Sequence, residues 1–430
     1  MSVSRFAPVA LAIGVLACSS EPIAAPAGSE WQRTVETSGN VTTVTTLSGS
    51  VWGGTATLQE ELSMGVEAGE PHHMFGQISA IWATEEEIYV VDYQAPAVRV
   101  FDHAGNHLRD IGKEGQGPGE FERPSRIVVD AGGRVFVGQT AAGGRINVYS
   151  PEGETLDTWA LANVQPGGGV RLSATTLILG DGGELYVRGT RLPQGPIVDE
   201  RTIVQGTYAL RDGVPEGEFL EAPGFDYQPQ RTGQAPYQLT VPFSPIERSG
   251  FMPSGAWVAG VNDDYHFEIH HPGGHVVKVQ RYWDPIPISQ EEAAYTKRYL
   301  ESAVRQDLPD WRYSGPEVPP HRPAFASFYP DYSGRVMVVV YDETRRLEDC
   351  DDIIRDPDLT PGPGFRHCWP ARYFWDAFDL EGDYLGRIDQ PEGTVTAPFF
   401  NGSTFLMAVE DEWGTIQVKK YRVVLPAENG

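Results

Sequence analysis

The stretch "GKEGQGPGEFERP", Gly112–Pro124, packs four glycines and two prolines into thirteen residues. A phosphate-cradling loop would need Gly-Lys-Ser/Thr opening a helix. Here a strand-like run begins near Ser125 instead, and a Rossmann glycine pattern fails for the same reason. The stretch also recurs in degraded form as "GVEAGEPHHMFGQI", Gly65–Ile78. A recurring glycine-rich segment between two apolar runs is a turn that the fold needs more than once. Its expected job is to carry the chain from the outer strand of one unit to the inner strand of the next, with Phe121 and Phe75 plugging the seam between units.

Working outward, the same unit is found along most of the chain. "VRVFDHAGNHLRDI" from Val98, "INVYSPEGETLDTW" from Ile146, "FEIHHPGGHVVKVQ" from Phe267 and "WDAFDLEGDYLGRI" from Trp375 share one pattern. Each alternates apolar residues, sets a ring at the fourth position, and turns at a glycine (Gly105, Gly153, Gly274, Gly382) before a second strand. This is a β-hairpin. Another hairpin precedes each: "SRIVVDAGGRVFVGQ" from Ser125 and "TLILGDGGELYVRG" from Thr176 are the clearest. Two hairpins in series make a four-stranded antiparallel unit, repeated about six times between Trp52 and Leu425. One such unit cannot cover both of its faces, so neighbours must stack around an axis as the blades of a propeller. The third repeat, around Arg171–Pro223, is irregular. The last repeat ends after its third strand, and "LQEELSM" near Leu58 reads as a lone outer strand. The expected fold is therefore all-β: a six-bladed β-propeller of four-stranded antiparallel blades, closed by an N-terminal strand.

At "GQGPGEFERPSRIVVDAGGRVFV" the sequence resembles the NHL-type repeat, strongly in the second unit and more weakly elsewhere. With the features of the N-terminus described next, the chain is similar to bacterial six-bladed β-propeller lipoproteins. That resemblance implies the fold and hardly constrains function, because propellers host binding proteins, lactonases, lyases and hydrolases alike.

Arg5 precedes the apolar run "FAPVALAIGVLAC", which is too short to span a bilayer and has the form of a signal sequence. Val15-Leu16-Ala17-Cys18 resembles a lipobox, in which Cys18 is lipidated and becomes the mature N-terminus. The expected organisation is a lipoprotein signal peptide (1–17), a tether after the lipidated Cys18 (18–34), an extra hairpin (35–51) and the propeller (52–427). The chain is then exported to the cell envelope and attached to the membrane through the lipid anchor alone, in the outer membrane or facing the periplasm. Of the three cysteines, Cys350 and Cys368 remain, and in an oxidising compartment they are expected to form a disulfide. A zinc site is the weaker alternative, since no CxxC pair accompanies them.

Net charge is −26, from 33 basic and 59 acidic side chains. Such a surface repels nucleic acid and anionic lipid, so neither is an expected partner. The expected state is a monomer.

In a propeller blade the connections after the first and third strands lie on one face, and those after the second and fourth on the other. The first class is uniformly short here ("DAGG", "DHAG", "SPEG", "DLEG"). The second holds every long insertion: Gly189–Thr202, Ala222–Pro245, Asp284–Arg322 and Asp342–Arg372. Elaborating one rim of a rigid ring points to binding on that rim. Within the third insertion, "SQEEAAYTKRYLESAVRQ" from Ser289 predicts a helix with a capping box at Ser289 and Glu292 and an apolar stripe of Ala293, Leu300 and Val304. The stripe packs on the rim or receives a partner. The candidate binding face comprises His72, His73, Asp92, His321, Tyr329, Asp342, His367 and Trp369. Aromatic residues beside the insertions (Trp311, Tyr313, Tyr373, Trp375) suit a sugar or peptide, or simply pack the loops down.

No HExxH, GxSxG or paired CxxC pattern occurs, so no catalytic residue is assigned and no cofactor is expected. The run "LEDCDDIIRDPD" lacks EF-hand spacing. The reading is a non-catalytic propeller that binds a protein, peptide or glycan on its inserted face. The alternative is a metal-dependent, lactonase- or lyase-like hydrolase with calcium or zinc on the axis, the metal itself being unassigned; Asp92 and His321 are the residues on which its ion would depend.

Overall fold

A computed structural model describes residues 30–140, 144–164, 166–193, 203–350 and 367–426. The expected signal peptide, the lipidation site Cys18, most of the tether, residues 194–202 of one insertion and most of the acidic run after Cys350 lie outside the described residues.

The chain forms six four-stranded antiparallel units in sequence order. Blade 1 comprises Ile78–Ala83, Glu87–Asp92, Ala97–Asp102 and His107–Ile111. Blade 2 comprises Pro124–Val129, Val135–Gln139, Arg145–Tyr149 and Thr155–Ala160. Blade 3 uses Val170–Leu179, Leu185–Arg191, Val204–Arg211 and Val214–Glu221, and blade 4 Glu247–Phe251, Trp257–Val261, His266–His270 and Val276–Arg281. Blade 5 is Ser327–Pro330, Val336–Tyr341, Tyr373–Phe378 and Tyr384–Asp389. Blade 6 takes only three strands from its own end of the chain, Phe399–Asn401, Thr404–Glu410 and Ile416–Val424. Its fourth, Thr55–Met64, comes from the N-terminal side and runs antiparallel to Ile416–Val424. The protein is a six-bladed β-propeller closed by an N-terminal strand.

The segment before that strand also covers edges. The hairpin Gln32–Ser38/Val41–Ser48 begins within the stretch expected to be tether, and Val41–Thr46 pairs in parallel with the outer strand of blade 4. Val51 and Trp52 then bond along the outer strand of blade 5 through the carbonyls of Tyr384 and Leu385. One N-terminal segment thus caps the outer edges of blades 4, 5 and 6, where open strand edges would otherwise invite association.

The two middle strands of blades 1, 2 and 5 and the second strands of blades 4 and 6 are buried on both faces, which is why they read as nearly continuous apolar runs. Val90, Val137, Val258, Val338 and Ala408 are all fully buried. The core is shared between neighbours: one cluster joins blades 6, 1, 2 and 3, a second joins 4 and 5, and a third joins 5 and 6.

The opening stretch is a seam between blades 1 and 2. Phe121 is fully buried and lies edge-on to Tyr149 at 5.9 Å, whose hydroxyl donates to the Gly119 carbonyl at 2.9 Å. Gly112 has φ +69°, and a Cβ there would lie 2.4 Å from the Phe121 ring, so both conformation and space demand glycine. Phe75 does the equivalent job between blades 6 and 1, bridging to Ile416 and lying edge-on to Phe101.

Candidate functional site

Because strands alternate in direction, connections leaving the second and fourth strands of every blade emerge on one face. The four long ones are those between Arg191 and Val204, Glu221 and Glu247, Arg281 and Ser327, and Tyr341 and Tyr373. The strands that carry all four therefore end on the same rim. Opposite them lie tight Asp-Gly turns such as Asp130–Arg134, closed by the Asp130 carboxylate accepting from Gly132 and Arg134 N–H.

The connection between blades 4 and 5 carries the helix α1, Gln290–Arg305. Ser289 caps it, its hydroxyl accepting from Glu292 N–H at 3.1 Å. Glu292 does not complete a capping box. Its side chain turns inward, 4% exposed, to an ion pair with the equally buried Arg322. Nor is the Ala293/Leu300/Val304 stripe the packed face; those residues are half-buried, while Glu292 and Tyr295 are the buried ones. Burial pushes the Glu292 carboxyl up in pKa, and Arg322 opposes this. Arg322 also donates to Thr344 Oγ1 at 2.7 Å and lies 4.5 Å from the Phe243 ring. One arginine thereby ties α1 to the connections of blades 3–4 and 5.

Cys350 and Cys368 form a disulfide, and both are fully buried against Tyr295. Cys368 N–H approaches the Tyr295 hydroxyl at 3.4 Å, and Trp369 packs on the Tyr295 ring at 5.3 Å. The disulfide fastens the blade 5 insertion to the inner side of α1.

These parts enclose a pocket of about 980 Å³ on the loop-rich face. Tyr295, Tyr299 and Leu300 form one wall and His367 and Trp369 another; Tyr341 and Tyr373 lie on the blade 5 side, and Glu410 and Asp411 stand at the blade 6 edge. Trp413, in the adjoining turn of blade 6, is 80% exposed, an unusual cost for so large an apolar ring.

The candidate residues divide. His367 and Trp369 line this pocket, and Tyr329 lies in a second cavity, an axial channel lined by the first strands of the blades, close enough to Tyr373 to influence its hydroxyl. His321 is exposed, its strand-like backbone bridging Pro287. Asp342 caps the end of its strand, accepting from Glu343 N–H at 2.8 Å. His72 and His73 lie apart from the pocket, in the seam of blades 6 and 1. His73 contacts the Gly105 carbonyl at 2.9 Å, and His72 stacks on His107 at 4.2 Å. Partial burial, with His107 and His73 nearby, holds the His72 pKa down. Asp92 is fully buried, with its oxygens accepting from the N–H groups of Gly76, Gln77, Gln94 and Ala95 at 3.0–3.2 Å. It ties a blade 1 turn to the incoming connection.

These residues do not fit a calcium or zinc ion on the axis. Asp92 already spends its lone pairs on backbone donors, the histidines are dispersed, and no group of three or more His, Cys, Asp or Glu able to hold a metal occurs among the described residues. The sequence reading missed Phe243 and Arg322 at the pocket, Trp413 on the same rim, and Arg126 and Arg188 in the axial channel.

A family model described as a 6-bladed beta-propeller matches residues 71–161. No curated protein matches the chain in sequence. Among solved structures, a member of the duf4221 family from Bacteroides vulgatus is similar at 10% identity and a TM-score of 0.48, covering 86% of this chain and 98% of its own. Virginiamycin B lyase from Staphylococcus aureus is similar at 9% identity and 0.38, over 84% and 99%. The calcium-binding protein regucalcin from Agrobacterium tumefaciens is similar at 9% and 0.37, over 86% and 96%.

Proposed function

We propose that this protein is an exported, lipid-anchored propeller of the cell envelope that binds a protein, peptide or glycan in the pocket on its loop-rich face and carries out no chemistry there. The observation that carries the reading is convergence: α1, the disulfide loop and the blade 3–4 connection enclose one aromatic-walled pocket of about 980 Å³. Loops held by a rigid ring are the usual place for recognition, and exposed rings beside polar edges suit sugar faces and peptide side chains. Trp413 at the same rim supports it. The signal-like N-terminus with Cys18 and the Cys350–Cys368 disulfide support an extracytoplasmic location.

The test is a glycan and peptide array probed with the full chain, its Tyr299→Ala/Trp369→Ala variant and a Glu152→Lys control on the opposite face. Binding by wild type and control, lost in the pocket variant, supports the reading. Binding that survives the pocket variant rejects it. Metal content measured on the same preparation bears on the hydrolase alternative: one calcium or zinc ion held per chain, and lost on changing Asp92 or His321, favours it.

A further inference from the structure

Inside the ring, the first strands of all six blades line an axial channel of about 370 Å³. In a chain of 59 acidic and 33 basic residues, the described residues that line this cavity include no Asp or Glu and two arginines, Arg126 and Arg188. Arg126 projects from the first strand of blade 2. Arg188 belongs to the second strand of blade 3 and reaches the lining where the first strand bulges, the pairing jumping from Ser173–Arg188 to Leu177–Val187.

Several buried or half-buried arginines meet carboxylates: Arg322 with Glu292, Arg281 with Asp376, Arg335 with Asp331, Arg99 with Asp92. The channel pair does not. Among the described residues, Arg126 donates to the Ser125 carbonyl at 2.6 Å and Arg188 to Gln205 Oε1 at 3.0–3.2 Å, and neither meets a carboxylate. Arg126 is near enough to Tyr329, on the blade diametrically opposite, for each to influence the other, and desolvation holds its pKa down. Two further polar groups in the same wall, Thr207 Oγ1 and Trp257 Nε1, are buried without a hydrogen-bond partner. Both guanidinium groups are exposed to the channel and so are free to meet an anion there by charge-assisted hydrogen bonds, and the two buried orphans would gain from a ligand that completes them.

The lining is asymmetric. Arg126, Arg188, Thr207 and Trp257 come from the consecutive blades 2, 3 and 4. On the other side, Trp82, Tyr332 and Phe399 of blades 1, 5 and 6 form a ring cluster with centroid distances of 4.5–5.7 Å. We propose that the axial channel binds a small aromatic carboxylate, its carboxylate held by Arg126 with Arg188 beside it, and its ring against the Trp82/Tyr332/Phe399 cluster. At physiological salt the Debye length of about 8 Å screens the distant acidic surface, so the local arginines decide the sign of the site. This cavity is separate from the loop pocket, and the proposal stands or falls independently of the array result.

The test is calorimetric titration of the full chain at physiological ionic strength with phenylacetate, its neutral analogue phenylacetamide, and inorganic phosphate. Phenylacetate is expected to bind at least about tenfold more tightly than either, the lower end for hydrogen bonds to a charged group. Arg126→Gln should lose about that factor for phenylacetate and leave phenylacetamide unchanged; Arg126→Lys, which keeps the charge and guards against a folding artefact, should retain part of the preference. Equal affinity for acid and amide, no binding of phenylacetate at millimolar concentration, or an unaltered Arg126→Gln would overturn the proposal. Phosphate binding as tightly as phenylacetate would overturn its aromatic half.

Discussion

Asp376→Asn tests whether blades 4 and 5, which carry most of the pocket, are joined by a buried charge. Asp376, 1% exposed in the third strand of blade 5, accepts from Tyr265 at 2.7 Å, Tyr384 at 2.9 Å and Arg281 at 2.7 Å. Tyr265 and Arg281 belong to blade 4. Burial disfavours the Arg281 charge, but Asp376 outweighs it and holds the guanidinium above its ordinary pKa. Asparagine keeps the shape and strands that cation, and breaking a buried pair by neutralising one partner costs about 4 kcal/mol. Unfolding the roughly 370 residues from Thr55 to Pro426 releases about 0.8 kcal/mol per degree of entropy. The midpoint of thermal unfolding, followed by calorimetry, should therefore fall by about 5 °C. Adding Arg281→Met removes the stranded charge and should recover about half of the loss. A fall below about 1 °C, or a double variant no more stable than Asp376→Asn, would refute the reasoning.

Other perturbations probe separate parts. Asp379, in a blade 5 turn, has its pKa pushed up to about 6, first by burial and then by Glu381. A raised carboxyl pKa contributes stability at low pH that is lost as pH rises through about 6. Screened by its half-exposure, that loss is about 1 kcal/mol, so Asp379→Asn should raise the denaturant midpoint at pH 7 and leave it unchanged at pH 4. Gly112→Ala should cost about 2–5 kcal/mol in chemical denaturation, from left-handed strain plus collision with Phe121. Gly183→Ala, at φ +83° with nothing within 4 Å of its Cβ, should cost only about 1 kcal/mol. Replacing Cys350 and Cys368 by serine opens a loop spanning 18 positions, a loss of about 3 kcal/mol, and should make the midpoint insensitive to reductant.

How much was legible depended on whether a feature is local. The turn glycines, the alternation and the recurrence of the Gly112–Pro124 segment are local, and they carried the blade pattern and its closure. Loop length was equally visible, so the decorated rim followed. Side-chain roles set by distant partners were not. Glu292 reads as half of a capping box until Arg322, thirty positions on, is seen to draw it inward. Asp92 reads as a free ligand until the N–H groups of Gly76 and Gln77 claim it. Arg126 is one residue in an apolar strand, and only register shows that it faces the axis; Arg188 reaches the channel only through the bulge at residues 174–176.

The most direct test of the account is site-specific crosslinking in the producing cell. A benzophenone amino acid is placed at Trp413 or Tyr299 on the loop-rich face, or at Glu152 on the opposite one. The account predicts crosslinked adducts from positions 413 and 299 and none from 152. Adducts formed only from position 152 would contradict it and move the function to the face with the short turns.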